Sequence, residues 1–202
     1  GRARQSTFAP ARASARAAAS IGCCTVASTG AMPGSSSHTA TQLERAIVVM
    51  RTRHNYRGEI IVGDLSKRFG GSYGPHLSHQ SGRDVDIWLP IQGGFYRQDE
   101  VRCKSCNTTW CRPKPEEVDW STTLHLVQAL LATGSVKNIF LDRRLHPALR
   151  QAALDAGLTK EEVDRLVQPG PGRPAAVTHA ARHMQHLHVR FRCGPDEPGC
   201  YD

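Results

Sequence analysis

Two stretches of the chain carry apolar residues at helical spacing. The first runs from about Thr41 to His54, and its apolar positions are Leu43, Ala46, Ile47 and Met50. The second runs from about Ser121 to Ala132 before Gly134, and its core-facing residues are Leu124, Val127, Leu130 and Leu131. Further along, Pro147 to Gly157 predicts a third helix, and the capping box that begins at Thr159 predicts a short fourth one.

Alternating apolar and polar residues predict two strands, because successive side chains of a strand point to opposite faces. The apolar face of Asp84–Leu89 holds Val85, Ile87 and Leu89, and that of His186–Phe191 holds Leu187, Val189 and Phe191. Glu59–Gly63 and Val136–Leu141 are also expected to be strands. The order of helix, strands, helices and strand predicts an α+β fold, with a small antiparallel sheet and flanking helices.

Composition divides the chain into a leader and one domain. Residues 1–37 are mostly Ala, Arg, Ser, Gly and Thr without periodicity. They are expected to be a disordered or processed leader, although they lack the apolar core of a signal peptide. Residues 38–202 are expected to form a single domain. Within it, Gly70–Pro75 predicts a loop, and residues 92–118 form an insert rich in Gly, Pro, Arg and Cys.

The net charge limits the possible partners. It is +8 at pH 7, is carried mostly by arginine, and favours an acidic partner such as nucleic acid or the bacterial wall. The chain has no basic motif interleaved with aromatic residues and no zinc-finger spacing, so nucleic acid is not the expected partner. No apolar run approaches the ~18–20 residues of a membrane span. The oligomeric state is left open.

Seven cysteines are many for a cytosolic hydrolase. Cys193 and Cys200 flank a turn-rich segment that can close a small loop, and a disulfide between them favours an oxidising compartment. The insert holds three more cysteines, Cys103, Cys106 and Cys111. Two interpretations of these are open: a structural zinc site that lacks its fourth ligand, or a disulfide with one remaining thiol. Cys23 and Cys24 are possible partners for the insert, since pairing does not follow from sequence.

The polar faces of the two alternating strands carry side chains that bind metals. These faces consist of Asp84, Asp86 and Trp88 on the first strand and of His186, His188 and Arg190 on the second. His79 lies shortly before the first strand. We predict that His79, Asp86 and His188 bind Zn²⁺. Two imidazoles and one carboxylate leave the fourth tetrahedral position open, as in catalytic zinc sites.

A hydrolytic metal site also needs a group that transfers protons. His186 shares a face with His188 but lies two residues away from it. It is therefore predicted to stand beside the metal as the general acid–base. His183 and His76 are close in sequence to these segments, and we expect them to orient His186 or to stabilise an oxyanion.

The two motifs resemble those of the penicillin-insensitive murein endopeptidases, which belong with the lysostaphin, D-Ala-D-Ala metallopeptidase and hedgehog group. Gly74–Ile87 is similar to their first motif and His183–Cys193 to their second. The resemblance extends from about Gly58 to about Cys200 and implies a fold like that of hedgehog and the D-Ala-D-Ala peptidases. It implies the following site: zinc bound by His79, Asp86 and His188, His186 as catalytic base, and supporting roles for His76 and His183.

The resemblance also implies an activity, the cleavage of peptide cross-links in peptidoglycan where D-alanine is joined to the side-chain amine of a diamino acid. Such an enzyme works in the periplasm or outside the cell, which agrees with a Cys193–Cys200 disulfide. A D-alanyl-D-alanine carboxypeptidase or dipeptidase of the same group, and a non-catalytic zinc-stabilised wall-binding module, are the alternatives. The chain departs from the family at Arg83, where an apolar residue is more common, and around Cys103–Cys111. Arg190 or Arg83 is a candidate to hold a substrate carboxylate, and Arg83 fits a solvated surface position equally well.

Overall fold

The computed structural model of the chain describes residues 35–58, 60–66, 70–72, 74, 76–92, 113–197 and 200–201. Most of the expected leader and most of the expected insert lie outside these ranges. The cysteines of both segments lie outside them too: Cys23, Cys24, Cys103, Cys106 and Cys111. In the described part the elements are α1 (Ser37–Thr52), β1 (Asp84–Trp88), a 3₁₀ helix (Pro115–Glu117), α2 (Trp120–Leu131), β2 (Val136–Leu141), α3 (His146–Asp155), α4 (Lys160–Leu166), β3 (Val177–His179) and β4 (His186–Phe191). The predicted α+β class is confirmed.

The described strands form one mixed sheet in the order β1-β4-β2-β3. β4 pairs antiparallel with both β1 and β2, whereas β3 pairs parallel with β2. The expectation of an antiparallel sheet is wrong for this last pair. The chain passes from β2 to β3 through α3 and α4, and a helical crossover returns it in the parallel direction. β3 was not predicted, because a strand of three residues with one buried position is too short to show alternation.

The segment predicted as the strand Glu59–Gly63 lies along the outer edge of β1 without forming a full strand. Val62 makes an isolated antiparallel bridge to Ile87. Gly63 N donates to Asp86 O at 2.7 Å, and Trp88 N donates to Ile61 O at 3.0 Å. Glu59 lies outside the described residues. This segment therefore satisfies backbone groups that an edge strand would otherwise leave unpaired.

Local capping fixes the ends of the helices. α1 begins before the predicted Thr41 because the Ser36 side chain accepts a hydrogen bond from Thr39 N at 3.1 Å. The capping box predicted for the fourth helix is confirmed, with Thr159 and Glu162 each bonded to the other's backbone N–H. The chain leaves α2 through Gly134, whose φ of 72° lies in the left-handed region that glycine adopts most readily. No helix in the described ranges is long and apolar enough to cross a membrane.

The apolar face of the sheet packs against the helices as the alternation predicts. Five strand side chains, and Leu89 directly after β1, lie in the core with at most 1% exposed: Val85, Ile87, Leu89, Leu187, Val189 and Phe191. The same core receives inward residues of α1, α2 and α3, among them Leu43, Met50, Leu124, Val127, Leu130 and Leu149. Since this face is filled, the alternating polar residues of β1 and β4 must lie on the opposite face.

Cys193 and Cys200 form a disulfide that closes the turn after β4, as predicted. The Arg83 side chain packs against this bond: its Nη1 donates to Cys193 Sγ at 3.4 Å and its Nε to Ser81 Oγ at 3.4 Å. Arg83 is only 9% exposed. The solvated surface position considered for it is therefore wrong, and its guanidinium serves the junction between β1 and the C-terminal turn.

Candidate active site

The pairing of β1 with β4 brings the polar residues of the two strands face to face. In this antiparallel register Asp84 stands opposite Arg190, Asp86 opposite His188 and Trp88 opposite His186. The sequence predicted which residues share a face, and the register now shows how they meet. Four of the predicted site residues come from these strands or from the turns that lead into them, and the remaining two lie in the loop before β1.

Three imidazoles surround one oxygen of the Asp86 carboxylate. Asp86 Oδ1 lies 3.2 Å from His79 Nε2, 3.5 Å from His186 Nε2 and 3.5 Å from His188 Nδ1. All four side chains are buried. Burial by itself raises the pKa of the Asp86 carboxyl, but the neighbouring imidazoles outweigh it and bring the pKa down to about 2. The carboxylate is thus ionised and surrounded by nitrogen ligands.

The centre of this cluster contains buried polar atoms without hydrogen bonds. Both ring nitrogens of His79 and Oδ1 of Asp86 have no hydrogen-bond partner in the described part of the chain, although His79 Nε2 and Asp86 Oδ1 are close. Such atoms are costly to bury unless something pairs with them. His76 joins the group, since the ligand atoms of His76, His79 and Asp86 all lie within 4.8 Å of one another. Imidazole nitrogens and a carboxylate oxygen this close together are suitable ligands for a metal cation.

His188 is oriented by a carboxylate on its far side. Its Nε2 lies 2.8 Å from Asp84 Oδ1, and Arg190 holds the same carboxylate with two hydrogen bonds of 2.9 Å. With the Nε2 proton donated to Asp84, the lone pair of Nδ1 faces Asp86. This is the arrangement of metal-ligating histidines, whose second nitrogen donates to a carboxylate. The Arg190 fork is occupied by Asp84, which argues against the predicted role in holding a substrate carboxylate.

His76 is held in a similar way by a carboxylate that the sequence did not single out. His76 Nε2 lies 3.0 Å from Asp64 Oδ2, and this hydrogen bond raises the pKa of the His76 imidazole. The sequence predicted a supporting role for His76, and the structure places one of its ring nitrogens within 4.8 Å of ligand atoms of His79 and Asp86, so His76 could also hold a metal ion with them. Asp64 follows the segment that edges β1, where a single acid carries no motif.

His186 and His183 lie side by side next to the Asp86 cluster. Their ring centroids are 4.9 Å apart, and His183 is anchored by its Nδ1, 2.8 Å from Ala181 O. Burial lowers the pKa of the His186 imidazole to about 4, against the opposing pull of the Asp86 carboxylate. Burial also lowers the pKa of His183. Both rings are therefore neutral near pH 7 and can accept a proton.

A cleft of about 600 Å³ opens on these histidines, within the size range of ligand pockets. Its lining combines four of them with residues from two loops and from β2 and β4: His76, Leu77, Ser78, Phe140, Ala180, Ala181, Arg182, His183, Gln185, His186, His188 and Arg190. Of the predicted site residues, His188, His186, His183 and His76 line this cleft, whereas His79 and Asp86 are buried and do not line it.

A family model described as "Penicillin-insensitive murein endopeptidase" matches residues 36–202. The chain belongs to this family. The murein endopeptidase of Yersinia enterocolitica (serotype O:8 / biotype 1B) is 28% identical over 168 residues, which are 75% of this chain and 52% of the relative. That of Salmonella arizonae is 30% identical over 150 residues, 72% of this chain and 49% of the relative. The chain spans about half the length of the curated murein endopeptidases it matches.

Membership in the penicillin-insensitive murein endopeptidase family confirms the resemblance carried by the two motifs. The match is longer than the predicted Gly58–Cys200, since it includes all of α1. Both strands of the site and both flanking loops lie inside it. Asp84 and Asp64 are residues of this site whose roles the sequence did not reveal. Asp84 could have been suspected, because it shares the polar face of β1 with Asp86.

Asp84→Asn is expected to weaken Zn²⁺ binding by about 10- to 100-fold while the protein stays folded. Asn keeps the shape of Asp84 but removes the charge that fixes His188 and pairs with Arg190. Titration with Zn²⁺ against a competing chelator measures the effect. Asp142→Asn is a matched control, since Asp142 accepts two hydrogen bonds of 2.9 Å from Arg144 outside the site. Equal affinities for the two variants would show that Asp84 does not position a ligand.

Proposed function

We propose that this protein is a zinc-dependent endopeptidase of peptidoglycan, which hydrolyses cross-links between D-alanine and the side-chain amine of a diamino acid. The observation that carries the proposal is the buried Asp86 cluster, with three imidazole nitrogens within 3.5 Å of one carboxylate oxygen. It lies at a cleft, in a chain whose relatives are named murein endopeptidases.

His79, Asp86 and His188 are the residues that we assign to Zn²⁺. They provide two imidazoles and one carboxylate. The ring nitrogens of His79 and Oδ1 of Asp86 are buried without hydrogen bonds, and Nε2 of His188 is held by Asp84 on the far side of the ring. When bound, zinc polarises a carbonyl group and acidifies water. His76 has its own carboxylate, Asp64, at 3.0 Å and stands next to the ligands. We assign His76 a supporting role, in which it holds the neighbouring ligand side chains in place.

His186 is the residue that we assign to proton transfer. Its Nε2 lies 3.5 Å from Asp86 Oδ1, and its ring lines the cleft. Because burial keeps this imidazole neutral near pH 7, it can take a proton at a ring nitrogen and return it to the departing amine. His183 lies beside it, anchored to Ala181 O, and we assign it a supporting role next to the His186 ring.

The compartment follows from the substrate and the disulfide. Peptidoglycan lies outside the cytoplasmic membrane, and the Cys193–Cys200 bond is of a kind that persists in oxidising surroundings. The net charge of +8 suits an anionic wall polymer. We therefore place the protein in the periplasm or outside the cell.

Digestion of purified peptidoglycan by the zinc-loaded protein is expected to convert cross-linked dimers into monomers, and penicillin at high concentration should leave the rate unchanged. The reason is that the proposed reaction uses no serine nucleophile, the group that β-lactams acylate. Mass analysis of the released fragments measures both. Inhibition by penicillin in step with covalent labelling of a serine would overturn the mechanism.

The same mass analysis separates this proposal from its two alternatives. A carboxypeptidase would release single D-alanine residues and leave dimers intact. A wall-binding module would bind the polymer and produce no new fragments. Cleavage of dimers at the D-alanyl bond is the result that only the endopeptidase gives.

A further inference from the structure

Gln185 is a buried carboxamide in the wall of the cleft. It precedes His186, is 2% exposed and belongs to the residues that line the cavity. Its position is fixed by the backbone, since Leu89 N donates to Gln185 O at 3.0 Å. Its side-chain Oε1 is buried and accepts no hydrogen bond in the ranges the structure describes. The Gln185 backbone is thus held in place, while its side-chain oxygen has no hydrogen-bond donor in the described chain.

Such a group needs an explanation, because an unpaired buried amide oxygen destabilises the folded state. Two other glutamines with limited exposure in the described chain have their side-chain oxygen paired. Gln168 accepts from His179 N and donates to Arg173 O, both at 3.0 Å, and Gln42 accepts from Arg45 at 3.4 Å. The unpaired atoms of His79 and Asp86 are accounted for by a metal. Gln185 is not one of the residues that we assign to the metal, and zinc is usually bound by histidine, cysteine or carboxylate side chains and not by a carboxamide.

The chemistry of the group indicates what pairs with it. A carboxamide oxygen accepts hydrogen bonds, so it favours an N–H donor and disfavours a carboxylate. Gln185 lines the cleft together with His183 and His186, so a donor that reaches Oε1 belongs to a molecule lying in this cleft. A peptide offers such donors at every residue.

We propose that Gln185 binds the substrate: its carboxamide accepts a hydrogen bond from a peptide N–H of the peptidoglycan stem peptide beside the bond to be cleaved. This inference rests on the proposed function and adds a specificity-determining residue to it. The Gln185 oxygen stays unpaired until a peptide enters the cleft. Its hydrogen bond forms only in the complex and favours the binding of a peptide whose amide is correctly placed.

Gln185→Met tests the proposal, because methionine has nearly the volume of glutamine and lacks the amide. The probe is a disaccharide tetrapeptide fragment of peptidoglycan, whose binding is measured by calorimetry on the metal-free and on the zinc-loaded protein. We expect the Kd to rise roughly 3- to 10-fold. The Tm should stay equal or increase, because an unpaired buried polar group has been removed. A merely structural glutamine would instead lower the Tm.

Gln168→Met is the matched control. It removes a carboxamide that is already paired, so its Tm should fall while its affinity for the fragment stays that of the wild type. Equal affinity of Gln185→Met and wild type, or no binding by the wild type, overturns the inference. If the wild type binds the fragment through Gln185 but cleaves no cross-link, the inference stands and the proposed function fails. If it cleaves and Gln185→Met cleaves and binds equally well, the function stands and the inference fails.

Discussion

Asp86→Ala is expected to strip the protein of its metal and of its activity together. The Asp86 Oδ1 atom is the centre on which the nitrogens of three imidazoles converge, and its loss leaves buried histidines without a shared partner. His188→Ala should act in the same way. Metal analysis should find about one zinc per molecule in the wild type and none in either variant.

Removal of zinc should also lower thermal stability. A ligand that binds only the folded state adds about 2.7 kcal/mol of stability when present at 100 times its Kd, and chelation cancels that contribution. His125→Ala is a suitable control, since this histidine stacks on His54 with ring centroids 4.1 Å apart, outside the site. Retention of zinc by the His79→Ala/His188→Ala double variant would sink the ligand assignment.

His186→Ala is expected to keep its zinc and its fold but to lose about 10²- to 10⁴-fold of kcat, the usual contribution of general acid–base catalysis. Its imidazole faces the cleft beside the ligands, and its lowered pKa keeps it neutral and ready to take a proton. Zinc content and kcat, measured on the same preparation, separate this variant from Asp86→Ala.

The comparison of His186 with His188 decides the roles of the two strand histidines. Each presents one nitrogen 3.5 Å from Asp86 Oδ1, so distance alone does not rank them. The two histidines differ in the contacts of the rest of the ring. His188 Nε2 lies 2.8 Å from Asp84 Oδ1, whereas the His186 ring contacts the rings of His183 and Trp88. If His186→Ala lost zinc while His188→Ala kept it, the roles would be exchanged. Full activity of His186→Ala would favour the wall-binding module.

The faces of the strands could be predicted from the sequence, whereas their pairing could not. Period-2 alternation in β1 and β4 is local, and it assigned Val85 and Leu187 to the core and Asp86 and His188 to the opposite face. Which strands pair depends on contacts between residues far apart in the chain. For that reason the parallel β2–β3 pair was missed, while the bounds of β2 and the capping box of α4 were predicted from their own residues.

The histidines that meet around Asp86 Oδ1 could be predicted to lie together because two motifs carry them jointly, but the residues that hydrogen-bond to them could not. Asp64 reaches His76 only through folding of the loop between them, and no local pattern marks it. Gln185 looked like an ordinary residue between two histidines. Its significance depends on burial and on the lack of a partner within the described chain, which only coordinates reveal.

Asp86 and His188 lie opposite each other in the antiparallel pair of β1 and β4, so the site forms only when these two strands pair in this register. A slip of one residue between β1 and β4 would turn Asp84 and Asp86 into the core and expose Val85 and Ile87, so it would abolish folding and chemistry at once. A substitution that shifts the register of these strands is therefore expected to remove fold and activity together. Substitutions that change what the cleft accepts are therefore expected at exposed positions of the loops that border it, such as Leu77 and Arg182.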